Sequence, residues 1–243
     1  ACALAVLYDY GAKRGDEIIV PALSFVATGN AIMHAGFTPV FVDIDRETLD
    51  IRPELIEQAI TKKTRAILPV HLMGKPADMD SICSIAHKYG IMVIEDAAEA
   101  HGAEYKGRKV GNLADMACYS LYVAHIITTG EGGIVLTNDP DKAAILRSLR
   151  SHGRACKCET CVSNLSSGFC ARRFDNPSHT DIRFVFERHG FSSKMNELEA
   201  ALGLGSLEYF HDIVEKRRSN FFAMTKVLEN YSELFYTIQE TNY

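Results

Sequence analysis

The sequence predicts an α/β protein: a mixed, mostly parallel sheet lying between helices. Two observations predict it. Short apolar runs rich in Val and Ile recur along the chain, and amphipathic segments of about ten residues separate most of them, which is the pattern of βαβ units. The runs at 116–120 and 133–137 lack a full helix between them, so part of the sheet is expected to be antiparallel.

Taken in order, residues 1–10 read as a helix stopped by Gly11, and Glu17-Ile18-Ile19-Val20 as a short buried strand closed by Pro21. A helix is expected over 24–32, with Ser24 as its N-cap. Strand 39–42, a helix near 53–60, strand 66–70, a helix over 79–87 and strand 91–94 follow, the last running into Glu95-Asp96. After the two late strands comes a helix over 140–151. Residues 152–188, rich in Cys, Ser, Asn and charge, read as an irregular insertion. Residues 193–226 read as one or two long helices, with Leu198, Ala201, Leu202, Gly203 and Leu207 on one face. No repeat or low-complexity tract interrupts the chain.

With 243 residues, 47% of them hydrophobic, and a net charge of -5, the chain has core enough for one large domain. Lys and Arg are scattered and outnumbered, so there is no basic stripe for nucleic acid. No apolar run reaches the roughly 18 residues of a membrane span, and no signal peptide is visible, so a cytoplasmic, membrane-free protein is expected. The chain starts without Met inside an apolar helical pattern and stops soon after another helix, as if truncated at both ends. Four of its seven cysteines fall within 156–170, which suits metal ligation in a reducing compartment better than a disulfide framework.

Two positions stand out chemically. Asp96 ends a buried strand, where open α/β sheets place ligands, although the same position also suits a turn or cap residue. His125 interrupts the apolar run from Ser120 to Ile127 just before the turn Thr128-Thr129-Gly130-Glu131-Gly132-Gly133. Read alone, it is more readily a satisfied core or turn histidine than a chemical one.

The surrounding motifs resemble those of the DegT/StrS family of sugar-nucleotide aminotransferases. The stretch from Ser120 to Gly133 is similar to that family's Ser-Phe-Tyr-Pro-Thr-Lys-Asn-Leu-Thr-Thr-Gly-Glu-Gly-Gly, whose lysine holds pyridoxal phosphate (PLP), and His125 stands in the lysine's place. Glu95 to Ala103 resembles Glu-Asp-Ala-Ala-Gln-Ala-His-Gly-Ala. The resemblance gives Asp96 the pyridinium nitrogen of the cofactor, and it puts Glu99 where Gln is usual, as a carboxylate that titrates high or contacts substrate. Phe25, in Pro21 to Thr28, matches an aromatic residue that stacks on the pyridine. Ser120 matches a phosphate ligand. Ser192, in Gly190 to Gly203, stands for an asparagine that reaches the neighbouring subunit's phosphate. His71, in Pro69 to Asp80, matches a structural landmark. The resemblance covers nearly the whole chain. It implies the large domain of the PLP-dependent aspartate-aminotransferase fold, with the small C-terminal domain largely absent, and a homodimer with shared sites acting on a nucleotide-linked sugar.

An imidazole cannot form the Schiff base that a lysine amine forms. The resemblance is therefore drawn toward the family's His-bearing branch, the 3-dehydratases of 4-keto-6-deoxy sugar nucleotides. These use pyridoxamine phosphate (PMP), and His125 would be their base. One such branch also carries a [2Fe–2S] cluster fed by a reductase. Cys156, Cys158 and Cys170 match its cysteine pattern in part, and Cys161 is the candidate for its remaining ligand; four thiolates also suit zinc. A plain sugar aminotransferase and a non-catalytic relative with a regulatory or metal-binding role are the alternative readings.

Overall fold

The computed structural model describes residues 1–237 apart from 157, 163–167 and 178. In chain order the strands are β1 (Glu17–Pro21), β2 (Thr38–Val42), β3 (Thr64–Ile67), β4 (Met92–Asp96), β5 (Glu104–Tyr105), β6 (Arg108–Lys109), β7 (Met116–Ser120) and β8 (Gly133–Leu136). The helices are α1 (Cys2–Ala5), α2 (Val26–His34), α3 (Pro53–Ala59), α4 (Met79–Tyr89), α5 (Pro140–Leu149), α6 (Glu197–Glu208) and α7 (Phe210–Leu228).

Six strands form one sheet in the order β2-β1-β3-β4-β7-β8. All neighbours are parallel except β7 and β8, which pair antiparallel with Ser120 opposite Gly133. The short connection expected between the last two strands therefore does reverse the chain. β5 and β6 make a separate hairpin, which the sequence reading missed. Its turn residues Lys106 and Gly107 both take positive φ (49° and 75°), the geometry of a tight hairpin turn, but the usual Asn-Gly or Asp-Gly signal is absent.

Successive residues of a strand face opposite sides of the sheet, so continuous apolar runs are what a sheet covered twice requires. On one side Ile18 and Val20 of β1, Ile94 of β4 and Met116 of β7 pack with Leu4 and Leu7, Ile32 of α2 and Leu149 of α5. On the other, Ile19, Ile67 and Val93 pack with Ile56 of α3 and with Met79, Ile82 and Ala86 of α4.

Several boundaries differ from the sequence expectation. The first helix is one α-turn continued by a tighter 3-10 segment, Val6–Tyr10, which ends at left-handed Gly11. α2 starts two residues late, with Phe25 at its N-cap and no side-chain cap, because the Ser24 hydroxyl is engaged with Thr28 Oγ1 at 2.7 Å. The long C-terminal segment is two helices, the first opened by a capping box of Asn196 and Glu199. Its leucines are not core: Leu198 is 80% exposed, and Leu202 and Leu207 are exposed as well. Among the described residues of the Cys-rich stretch, regular structure is limited to two 3-10 turns, Ala171–Phe174 and Ile182–Phe184. No helix among the described residues is long and apolar enough to cross a membrane.

Candidate active site

The candidate residues gather at the carboxyl ends of the parallel strands, where strand ends and helix starts leave polar groups facing a crevice. Asp96 is the last residue of β4. Its backbone is clamped to the segment after β3 by Asp96 N–H to Pro69 O (2.9 Å) and His71 N–H to Asp96 O (3.0 Å). Its carboxylate accepts from Thr28 Oγ1 (2.8 Å) at Oδ2 and from Ala98 N–H (3.2 Å) at Oδ1. Thr28 is itself buried and shares a hydrogen bond with Ser24, so a hydroxyl chain Ser24–Thr28–Asp96 fixes the carboxylate from the start of α2. Each carboxylate oxygen still has acceptor capacity for one more donor. Phe25, one residue past Ser24, is 76% exposed.

Ser120 ends β7, half-buried, with its Oγ accepting from Tyr122 N–H at 3.2 Å. Five residues on, half-buried His125 is placed by a backbone turn, His125 N–H to Tyr122 O at 3.0 Å. The turn behind it is closed by Leu121 N–H to Gly132 O (2.9 Å), Thr129 N–H to Leu121 O (3.0 Å) and Thr128 Oγ1 to Leu121 O (3.1 Å). α6 braces it from outside. Ser206 Oγ accepts from Thr128 N–H at 3.1 Å, and Gly203 lies so close to Thr129 that an added Cβ would come within 2.7 Å of its methyl group. Gly132, at φ 151°, could carry a side chain only by displacing Thr129 and Met195.

No lysine lies between Lys109 and Lys142, and those two are paired with Glu104 and Asp139. The turn therefore has no amine to offer a carbonyl. Instead, a second imidazole stands near His125. His101 is only 8% exposed, its ring 6.5 Å from that of His125 and 4.8 Å from that of Tyr119. Neither of its ring nitrogens has a hydrogen-bond partner. Burial, and then the charge on His125, push its pKa down to about 4. Burial likewise pushes the Tyr119 phenol up to about 12, and that phenol donates to Val110 O.

Other candidates are placed differently. Glu99 is exposed and accepts from Met73 N–H at 2.6 Å, so its carboxylate braces the loop after β3, where Met73 holds a left-handed φ of 56°. His71 is fully buried and bound to Glu95 and to Ala77 N–H, consistent with a structural reading. Ser192 is exposed and held by a bridge to Ser151; no hydrogen bond joins it to the other candidates among the described residues. Cys156 and Cys158 have sulfurs 3.8 Å apart and line, with Cys170 and Arg172, a cavity of about 220 Å³. Cys161 is exposed and does not line it. Among the described residues no three His, Cys, Asp or Glu side chains are grouped to hold an ion, so as arranged the thiols do not fit a four-sulfur centre.

Sequence reading missed Thr28, His101 and Ser206. Thr28 carried a signal, since Ser24 and Thr28 are four residues apart and share a helix face. His101 carried one too, since it matches the histidine of the motif that Glu95 to Ala103 resembles.

A carboxylate at the end of a central parallel strand, an exposed aromatic residue at the start of the helix whose Thr28 bonds that carboxylate, and a Gly-rich turn bearing a histidine define an α/β protein with a ligand site at its strand carboxyl ends. A family model for the DegT/DnrJ/EryC1/StrS aminotransferase family matches residues 1–242, and the chain belongs to that family. It is 41% identical over 202 residues to GDP-perosamine synthase of Caulobacter vibrioides, covering 83% of this chain and 48% of that one. It is 39% identical over 214 residues to dTDP-4-dehydro-2,6-dideoxy-D-glucose 3-dehydratase of Saccharopolyspora spinosa, covering 86% and 46%. The chain thus spans about half the length of the curated relatives it matches. Among solved structures, an aminotransferase from Psychrobacter cryohalolentis superposes with a TM-score of 0.79 at 33% identity, covering 96% of this chain and 55% of that one. The sheet and its helices are those of the PLP-dependent aminotransferase fold.

Proposed function

We propose that the protein carries out PMP-dependent dehydration at C3 of a nucleotide-linked 4-keto-6-deoxyhexose, with His125 as the base. The observation that carries this reading is the imidazole on a turn with no lysine. PMP, when bound, supplies an amine that condenses with the 4-keto group and a ring that takes up electrons. The residues present fit that group. Asp96 has acceptor capacity to keep a ring nitrogen protonated, Phe25 offers an exposed ring for stacking, and Ser120 offers a hydroxyl at a strand end. His125 takes the proton that must leave the cofactor's methylene carbon before the C3 hydroxyl can be lost.

A sugar aminotransferase is the competing reading, favoured by the identity to GDP-perosamine synthase and opposed by the missing lysine. The test is His125→Asn in the protein loaded with PMP. Turnover of a 4-keto-6-deoxy sugar nucleotide should fall by about 10²- to 10⁴-fold, the usual worth of a general base, while PMP affinity is kept and borohydride traps no lysine adduct. Steady formation of an amino sugar from an amino-acid donor overturns the reading.

The working form is a homodimer in this reading, supported by the exposed leucines of α6 and by Ser192, which no hydrogen bond among the described residues joins to the site. Sedimentation as a monomer at micromolar concentration with PMP present counts against it. Cys156, Cys158, Cys161 and Cys170 as ligands of a [2Fe–2S] cluster or zinc, with a reductase as electron partner for the former, form a separate proposal. It rests on the shared cavity and requires Cys161 to move inward, and no step above depends on it. Anaerobically purified protein with neither metal defeats it.

A further inference from the structure

We propose that His101 is a positioning residue for His125, joined to it through a single shared oxygen that hydrogen-bonds one ring nitrogen of each. This rests on the proposed role of His125. Three observations carry it. His101 is more than nine-tenths buried with both nitrogens unpaired, a costly state unless something in the working site pairs them. The ring of His125 has neighbours in Tyr122 and His101 but no hydrogen bond from any described residue, so its tautomer is otherwise unset. The two ring centres lie 6.5 Å apart. Imidazoles bonded nitrogen to nitrogen have centres about 5 Å apart, and one oxygen at about 2.8 Å from each nitrogen accounts for the difference.

Burial keeps His101 neutral, so at working pH it presents one donor and one acceptor and never competes with His125 for the catalytic proton. Tyr119, whose ring lies against His101, commits its one hydroxyl proton to Val110 O and so cannot also donate to an imidazole. The oxygen arrives with the bound ligand, since in the free protein both His101 nitrogens are buried and unpaired.

The experiment compares His101→Leu and His101→Gln in the PMP-loaded protein. Loss of a base's orientation costs on the order of 10- to 100-fold in rate. His101→Leu should lower kcat by that factor with KM nearly unchanged, and His101→Gln, which keeps a donor and an acceptor, should recover most of it. Alongside, NMR of ring-nitrogen-labelled histidine should show one resolved His125 tautomer in the PMP-loaded wild type and averaged tautomers in PMP-loaded His101→Leu. Equal kcat in wild type and His101→Leu, or averaged tautomers in the loaded wild type, overturns the proposal. If no sugar nucleotide is turned over, the function fails by itself, and the NMR arm still decides whether His101 holds His125. Should His101→Leu not fold, the wild-type spectra and His101→Gln decide.

Discussion

Two buried histidines in this chain, His71 and His101, sit thirty residues apart and live in opposite circumstances. His71 is fully buried, and both its nitrogens are used: Nδ1 accepts from Ala77 N–H (3.1 Å), which leaves Nε2 to donate to Glu95 (3.1 Å). Glu95, equally buried, also accepts from Gly111 N–H (2.8 Å), Leu113 N–H (3.0 Å) and Ala114 N–H (3.1 Å). That cluster ties the segment after β3 to the loop before β7, and every lone pair it needs is met from within the chain. His101 is nearly as buried, and nothing in the chain meets it. Burial with full pairing marks a group that holds the fold, whereas burial without pairing marks a group whose partner arrives with function.

The comparison breaks most readily at Glu95. Glu95→Leu strips acceptors from three backbone N–H groups and from His71 at once, and should destabilise the protein by about 4 kcal/mol, most of its margin. Urea unfolding reads this directly. His101→Leu removes no bond and relieves two unpaired buried nitrogens, so at mildly alkaline pH it should leave the free protein as stable or more stable, by up to about 1–3 kcal/mol. Equal losses in the two variants would erase the distinction.

Acid sharpens the contrast. The folded pKa of His101, about 4, lies below its ordinary 6.5, so the unfolded chain binds the extra proton first. The sign follows: titration of His101 costs no stability above about pH 6.5, and its penalty grows as pH falls toward 4, reaching about 3 kcal/mol at about 1.4 kcal/mol per unit. His101→Leu should flatten that part of the acid limb, seen as a smaller fall in Tm between the two pH values. An unchanged limb would mean that His101 is hydrated in the folded state.

How much of this was legible in the sequence follows from the same physics. The sheet was readable because β1, β3, β4 and β7 are apolar on both faces, and Asp96 was readable because its place at a strand end is a consequence of that pattern. The hairpin of β5 and β6 escaped because its turn uses Lys106 rather than Asn or Asp. The apolar face of α6 was readable, but its exposure was not, because periodicity does not report what covers a face. The relation of His101 to His125 was hidden, since residues on two loops meet only once β4 and β7 are paired, with Asp96 beside Cys118.

The smallest effect tests whether the rim of the candidate site shares any of the core's rigidity. Thr28 is the one rim residue built like the Glu95 cluster: buried, bonded to Asp96 at 2.8 Å and to Ser24 at 2.7 Å. Thr28→Val keeps its shape and removes only the hydroxyl, which deprives Asp96 Oδ2 of its donor and leaves the carboxylate held by Ala98 N–H alone. One such hydrogen bond is worth about 1 kcal/mol, or about fivefold in an equilibrium constant. PMP titrated by its absorbance should therefore bind about fivefold more weakly to Thr28→Val, with unfolding stability changed by a similar energy. Ser24→Ala, one bond further from the carboxylate, should have a smaller effect on the same titration. If Thr28→Val binds PMP as the wild type does, the backbone of β4 alone positions Asp96, and the start of α2 serves the site only by presenting Phe25.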